Sequence, residues 1–405
     1  MIQLSEIADI QTGPFGSQLH KEDYASVGRP IVTVEHLGER AFTEQNLPLV
    51  SEKDAERLKK YQMKPGDIIF SRVGSIDRCS YAEKQNEGWL FSGRCLRIRP
   101  NKTYDSEFLY YHLSSSAIKK FVRNIAVGAT MPSINTTLMG EIPVPEVPLN
   151  VQHAIARVMT SLDCKIQTNT KLNGYLLEQL KAYAKNLYGE YEQDEDAPLP
   201  AGWTRVSIDE IAEMVCRGIT PKYNADSDEF VLGQTCIRDN LVLTENGRAH
   251  SPKKVTEKWL HKYDLLINST GVGSLGRTAQ IWFEPSKLVV DSHVTIVRAA
   301  KPSHALYLGF WAFKHEKFIE SLHTGSTGQT ELPREHVKAI SVVLPDSETL
   351  AAFNTIASPS VGLIAANQEE NKRLAALRDA LLPKLMSGEI DVSEVDLTQL
   401  NSHLA

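Results

Sequence analysis

The sequence predicts an α+β chain made of two similar domains related by a pseudo-twofold axis and separated by an antiparallel coiled coil of two long helices. Heptad spacing carries the first part of that expectation. Residues 149–187 place Ile155, Leu162, Asn169, Leu176 and Tyr183 in one row and Met159, Ile166, Asn173, Leu180 and Leu187 in a second, four residues further on. That alternation of four and three is the seam of a coiled coil. Repetition carries the second part, because the rows return 198 positions later. Phe353, Ser360, Asn367, Leu374 and Leu381 form one row, and Ala357, Ile364, Asn371, Arg378 and Leu385 the other. An Asn on a seam costs stability but fixes register, since few alignments satisfy its amide. Asn169 and Asn173 are therefore expected to meet, or lie near, Asn367 and Asn371. The second copy is the weaker: Pro359 should kink it or delay its start, and Arg378 interrupts its apolar row.

The segments before each rod repeat as well. SEIADIQTG and DEIAEMVCRG each read as a short helix and a turn. GDIIFSRVGSIDR (66–78) and YDLLINSTGVGSLGR (263–277) each read as an apolar strand entering a Gly/Ser turn that ends in Arg. GRCLRIR (93–99) and SHVTIVR (292–298) alternate as half-buried strands do. FLYYHLSSSAIKKFV and ALYLGFWAFKHEKFI are helical in period, and GATMPSIN and GSTGQTEL follow them. The expected organisation is a first domain over 1–146, a first long helix over 147–190, a linker over 191–202, a second domain over 203–346, a second long helix over 347–388 and a tail over 389–405. Domains at the N-terminal ends of antiparallel helices would lie at opposite ends of the rod. Two such domains match the local twofold symmetry of a duplex, with the rod as a ruler between half-sites.

Composition excludes several classes. No apolar run is read as reaching the ~18–20 residues of a bilayer span. The opening MIQLSEIADI lacks the basic flank and apolar core of a signal peptide. The five cysteines show no CxxC spacing, so neither a zinc site nor a disulfide frame is indicated, which fits a reducing cytoplasm. The net charge of −6 is unevenly spread. Residues 1–145 hold 18 basic and 17 acidic side chains and residues 200–346 hold 17 of each. The excess acid thus lies in the rods, linker and tail, which leaves a basic face on each domain permitted but undemonstrated.

Gly271, Gly273 and Gly276 form a literal GxGxxG after an apolar strand. A dinucleotide site requires that turn to open a helix, whereas the following RTAQIWFEP reads as a strand. Ser269, Thr270, Ser274 and Arg277, with Ser71, Arg72, Ser75 and Arg78 at matching places, suit phosphate or base contact better: hydroxyls and N–H groups hold phosphate oxygens, and Arg forks onto guanine. The plainer reading is a tight β-turn with a solvated Arg. Arg94 and His293 occupy matching strand positions and point either at DNA or at local carboxylates. TGPFGSQ (12–18) and RGITPKY, with Arg217, Lys222 and Tyr223, are groove-entering loops or simple connections. Thr327 and Gln329 lie in a loop of small polar residues, and Gln is a natural adenine reader. No catalytic set emerges: there is no NPPY, DPPY or GxxxxGK[ST], and the 12 His show no metal-ligand spacing.

The doubled pattern, LPAGW at 199–203, GSTGQTELP at 325–333 and the two rods resemble the DNA-specificity subunit of type I restriction–modification enzymes across nearly the whole chain. The resemblance implies two target-recognition domains, each reading half of a bipartite site in double-stranded DNA. It implies rods that bind two methyltransferase subunits, with restriction subunits able to join, and no active site in this chain. It likewise implies no cofactor here, with S-adenosylmethionine in the partner methyltransferase and ATP and Mg in the partner nuclease. Two other readings stand beside it. A coiled-coil scaffold that does not touch DNA makes Arg78 and Arg277 dispensable, and a nucleotide-dependent enzyme would use the 271–276 loop.

Overall fold

A computed structural model describes residues 1–128, 130–189, 191, 198–251, 258–325 and 330–395. The chain divides into two compact units, Met1–Gln167 with Asn371–Ala405 and Thr168–Glu370. Each unit contains half of each long helix.

In unit 1 a four-stranded antiparallel sheet is formed by β1 (Ala8–Thr12), β2 (Ile68–Ser71), β3 (Cys79–Tyr81) and β4 (Cys95–Pro100), in the order β1-β4-β2-β3. The apolar run of β2 is explained by burial on both faces. Ile68 and Phe70 join one core with Leu96 and Ile98, while Ile69 joins a second with Cys95 and Phe91. Helices α1 (Ser106–Ser114) and α2 (Ser116–Ile125) follow. The Asp105 carboxylate caps the first, accepting from the Phe108 N–H at 2.8 Å. Ser115 adopts an extended conformation between them and caps the second. Helix α3 (Leu149–Tyr188) then begins.

Unit 2 repeats the plan. Strands β5 (Ala212–Arg217), β6 (Leu265–Asn268), β7 (Thr278–Gln280) and β8 (Val294–Ala299) pair in the order β5-β8-β6-β7. Helices α4 (Pro302–Lys314) and α5 (Glu316–Ser321) precede α6 (Ser347–Ser387). Both SEIADIQTG and DEIAEMVCRG were expected to turn after a short helix. Each instead runs straight into a strand, because the edge positions of β1 and β5 accept mixed polar and apolar side chains against β4 and β8.

Within each unit the halves of the long helices pair antiparallel. In unit 2 the Asn367 amide donates to the Asn173 Oδ1 at 2.8 Å, the Asn169 amide donates to Glu370 at 2.7 Å, and Tyr183 stacks on Phe353 with centroids 5.8 Å apart. In unit 1 the Asn371 amide donates to the Ile166 carbonyl at 3.4 Å. Asn173 makes the corresponding bond in unit 2, to the Ile364 carbonyl at 3.3 Å. The shift of 198 that relates these residues in sequence therefore also relates their hydrogen bonds.

Two expectations for the second helix are corrected. Helix α6 runs unbroken through Pro359. Pro359 is exposed, so the carbonyl it leaves without a donor faces water, while Phe353, Ala357, Val361 and Ile364 are fully buried on either side and hold the helix down. Arg378 does not weaken the seam. Its guanidinium donates to the buried Asp163 carboxylate at 2.9 Å. Burial opposes the Arg378 charge, but the bond to Asp163 and its field prevail and raise the pKa. Asp163 in turn accepts from the Tyr111 hydroxyl at 2.7 Å, and Tyr111 accepts from Arg40 at 2.9 Å.

The membrane expectation also needs amending: an 18-residue window of α6 reaches a mean hydropathy of 1.3. No Asp, Glu, Lys or Arg occurs from 349 to 368. One row of this stretch is buried in unit 2, whereas Ala352, Ile356, Pro359, Leu363 and Ala366 form an exposed stripe.

Candidate nucleic-acid interface

In both units, three loops are tied together by main-chain hydrogen bonds at one end of the four-stranded sheet. The β2–β3 turn of unit 1 is closed by Ser71, whose N–H donates to the Arg78 carbonyl at 2.8 Å and whose hydroxyl accepts from the Arg78 N–H at 3.1 Å. The Arg72 N–H donates to the Arg94 carbonyl at 2.9 Å, joining this turn to the one before β4. A third loop is drawn in by the Val127–Ser133 pair, by the Gly74 N–H donating to Pro132 at 2.9 Å, and by the Ile134 N–H donating to Arg72 at 2.9 Å. The segment after β1 crosses over the turn before β4 at Gly13, where a Cβ would strike the Ser92 backbone.

Unit 2 has the same frame. Asn268 donates to Arg277, Ser269 donates to His293, and Leu332 donates to Ser269, at 2.9, 2.9 and 2.8 Å. Thr324 and Glu331 pair as Val127 and Ser133 do, and Gly218 takes the place of Gly13, pressed against the Val290 and Asp291 carbonyls. One feature is built differently. The Arg72 guanidinium secures the Gly93 carbonyl at 3.2 Å in unit 1, and in unit 2 Arg217, reaching from another strand, secures the matching Ser292 carbonyl at 3.1 Å.

The sequence-derived residues fall into three groups on this frame. Ser71 and Ser269 are fully buried. The Ser71 hydroxyl donates to the Ser75 carbonyl and that of Ser269 shares a proton with Thr295 at 2.6 Å, so neither hydroxyl faces a phosphate. Arg72, Arg78, Arg217 and Arg277 are half-buried and spend their guanidinium groups on backbone carbonyls: Gly93 for Arg72, Leu37 for Arg78, Ser292 and Leu332 for Arg217, and Gly273 for Arg277. Arg217 also pairs with Glu331 at 2.9 Å, and burial lowers its pKa against that pairing. The shared Arg offset thus reflects loop bracing. Ser274 bonds within the loop, whereas Thr270 is tied to other segments, accepting from the Gln234 amide at 2.7 Å and bonded to His293 at 2.8 Å.

Ser75, Arg94 and His293 are exposed at the tips. Lys222 and Tyr223 are also exposed, but they sit on a separate loop paired with His250, where Arg248 lies 3.4 Å from the Tyr223 ring centroid. Thr327 and Gln329 lie outside the described residues.

The strand reading of RTAQIWFEP holds, since β7 follows the 271–276 turn directly. A dinucleotide site is therefore ruled out there: no helix opens at Gly276, whose Cβ would meet Glu320 at 2.7 Å and the Glu316 carbonyl at 2.8 Å. That glycine permits close packing of α5. Among the described residues, no group of three or more His, Cys, Asp or Glu is arranged to hold a metal ion.

Sequence reasoning missed the tip side chains that are apolar. Phe15 and Val127 are each 63% exposed, Met131 is 62% exposed and Val272 is 85% exposed. Large apolar residues inside Gly-, Pro- and Ser-rich turns were the available signal.

Residues 1–178 match the family described as the type I restriction modification DNA specificity domain. All the unit 1 tips lie within the matched residues. Over the full length, the chain is similar to two specificity subunits from Methanocaldococcus jannaschii. One is the putative type I restriction enzyme MjaX specificity subunit, 24% identical over 96% of this chain and 94% of the relative. The other is the type I restriction enzyme MjaIX specificity subunit, 23% identical over 97% and 94%. The fold is shared with the type I restriction–modification S subunit from M. genitalium, with a TM-score of 0.56 and 17% identity over 95% of this chain and 94% of that one.

Proposed function

We propose that this chain is the sequence-specific DNA-recognition subunit of a type I restriction–modification complex, each unit reading one half of a bipartite target in double-stranded DNA. The observation that carries this reading is the doubled loop frame: the same main-chain bonds recur in both units while the exposed tips differ. A fixed frame with unlike tips suits two unlike half-sites. Base edges specify and phosphates position, and the near-neutral stretches 1–145 and 200–346 offer few spare cations, so partner subunits contribute most of the phosphate contact.

In this reading the chain aims catalysis that others perform. Two methyltransferase subunits bind S-adenosylmethionine and transfer the methyl group, and restriction subunits using ATP and Mg join them in the cytoplasm. The uncharged stripe of Ala352, Ile356, Pro359, Leu363 and Ala366 supports docking of a partner helix. Its spacing of four and three is that of a seam, and it is unusually apolar for a surface.

Mapping N6-methyladenine genome-wide, with the partner methyltransferase expressed and the gene present or deleted, tests the proposal. A bipartite motif that disappears with the gene is the expected result, and a Leu363→Glu chain should lose methylation at every site together. A methylation pattern indifferent to the gene would refute DNA reading and leave the scaffold.

A further inference from the structure

The loop frame orders the exposed groups of unit 1. Phe15 packs its Cβ beside Gly93, within 2.7 Å of where a Gly93 side chain would begin. Arg94 follows, bonded through its carbonyl to Arg72, and the β2–β3 turn then hands on to the 127–134 loop through Gly74 and Pro132. Phe15 thus lies on one side of the Arg94 turn, with Val127 and Met131 beyond the other. All three apolar side chains are more than half exposed. The last loop is entered from α2, which exposes Lys120 and Arg123. Asp77 holds Arg123 at 2.6 Å, so Arg94 and Lys120 supply the cations beside the apolar tip, as suits a partner whose rim is anionic and whose centre is apolar.

The corresponding tip of unit 2 is chemically different. Counting from the glycines that cross the next turn, Gly13 and Gly218, Phe15 corresponds to Thr220. By the shared pairing with Ser133 and Glu331, Val127 corresponds to Thr324. Both threonines are exposed. At these two positions unit 1 offers apolar side chains where unit 2 offers hydroxyls, and the apolar side chain at the unit 2 tips is instead Val272 of the β6–β7 turn, 85% exposed. In the major groove of a duplex, the apolar feature that distinguishes base pairs is the thymine C5-methyl group.

We infer that Phe15, Val127 and Met131 make unit 1 a reader of thymine methyl groups, so that its half-site contains A·T pairs recognised by apolar contact, with Arg94 beside them as the polar contact. This rests on the DNA-reading function proposed above.

The test uses the full chain assembled with its partner methyltransferase on the duplex found by methylation mapping. Each thymine of both half-sites is replaced in turn by deoxyuridine, which removes only the methyl group. Affinity should fall about four-fold at one or more positions of a single half-site, the value of one buried methyl-sized group. Phe15→Ala or Met131→Ala should weaken binding to the thymine duplex about tenfold, and the responsible variant should no longer distinguish thymine from deoxyuridine. Phe15→Leu and Met131→Leu keep apolar contact and should retain the discrimination, which separates lost reading from misfolding. Half-sites without A·T pairs, indifference to deoxyuridine at every position, or alanine variants that weaken both duplexes equally would each overturn the inference. Unstacking of a base step, reported by 2-aminopurine fluorescence without methyl dependence, would replace it with an inserted wedge. If no motif depends on the gene, the DNA-reading function itself fails. If the motif stands and the methyl groups are silent, only this inference does.

Discussion

Replacing Arg378 with alanine should loosen the first half of α3 without touching the second. The Arg378 guanidinium is 2.9 Å from Asp163, whose side chain is only 7% exposed. Truncation leaves that carboxylate with the Tyr111 hydroxyl, 2.7 Å away, among the donors that compensated it. Removing one member of a buried ion pair costs about 3–5 kcal/mol. The partial exposure of Arg378 and the surviving Tyr111 bond reduce this to about 2–3 kcal/mol. Native-state hydrogen exchange on the full chain reads the change locally. Amides of 149–167 and 371–387 should exchange about 30- to 150-fold faster, while 168–188 is unchanged. Asp163→Leu combined with Arg378→Leu removes both charges and should recover most of the protection, because an apolar replacement of a buried pair is close to neutral. A three-fold or smaller effect of Arg378→Ala, or a double variant as labile as the single one, would refute the reasoning.

Glu316 and the glycines of the 271–276 turn give two further expectations. Burial raises the Glu316 pKa despite bonds from Thr278 and Asn240, all to one oxygen that a glutamine would retain. An acid raised on folding holds its proton more tightly in the native state, so stability is lost as pH rises through its unfolded pKa toward the folded one. Glu316→Gln should therefore raise the thermal midpoint of unit 2 at pH 7, and the gain should vanish near pH 4; an equal gain at both pH values would contradict this. Gly276→Ala should destabilise by about 2–4 kcal/mol, since its Cβ meets backbone and the Glu320 Cβ. Gly273→Ala, with φ +76° but open space around it, should cost about 1 kcal/mol by the same thermal unfolding measurement; comparable losses would show that packing of α5 is not what Gly276 serves.

Much of the fold was legible because it rests on periodicity. The seam asparagines declared themselves by recurring at one shift, and the strands that run between two cores read as continuous apolar segments. Failures came where tertiary context overrode a local rule. Pro359 breaks helices in general, but on an exposed face between buried anchors it does not. Arg378 looked like a flaw in a seam until Asp163, a residue from the other helix, appeared opposite it. Ser71 and Arg78 carried the right chemistry for phosphate, yet sequence offers no means of knowing that a hydroxyl or guanidinium is already committed to a neighbouring carbonyl. The apolar tips went unread because a lone Phe or Met in a turn has no period.

The three loops of each unit are held by peptide groups, and peptide groups are common to every residue but proline. Side chains at the exposed tips can therefore differ without disturbing the main-chain bonds that position them. Such an arrangement separates what holds the loops in place from what they present to a partner.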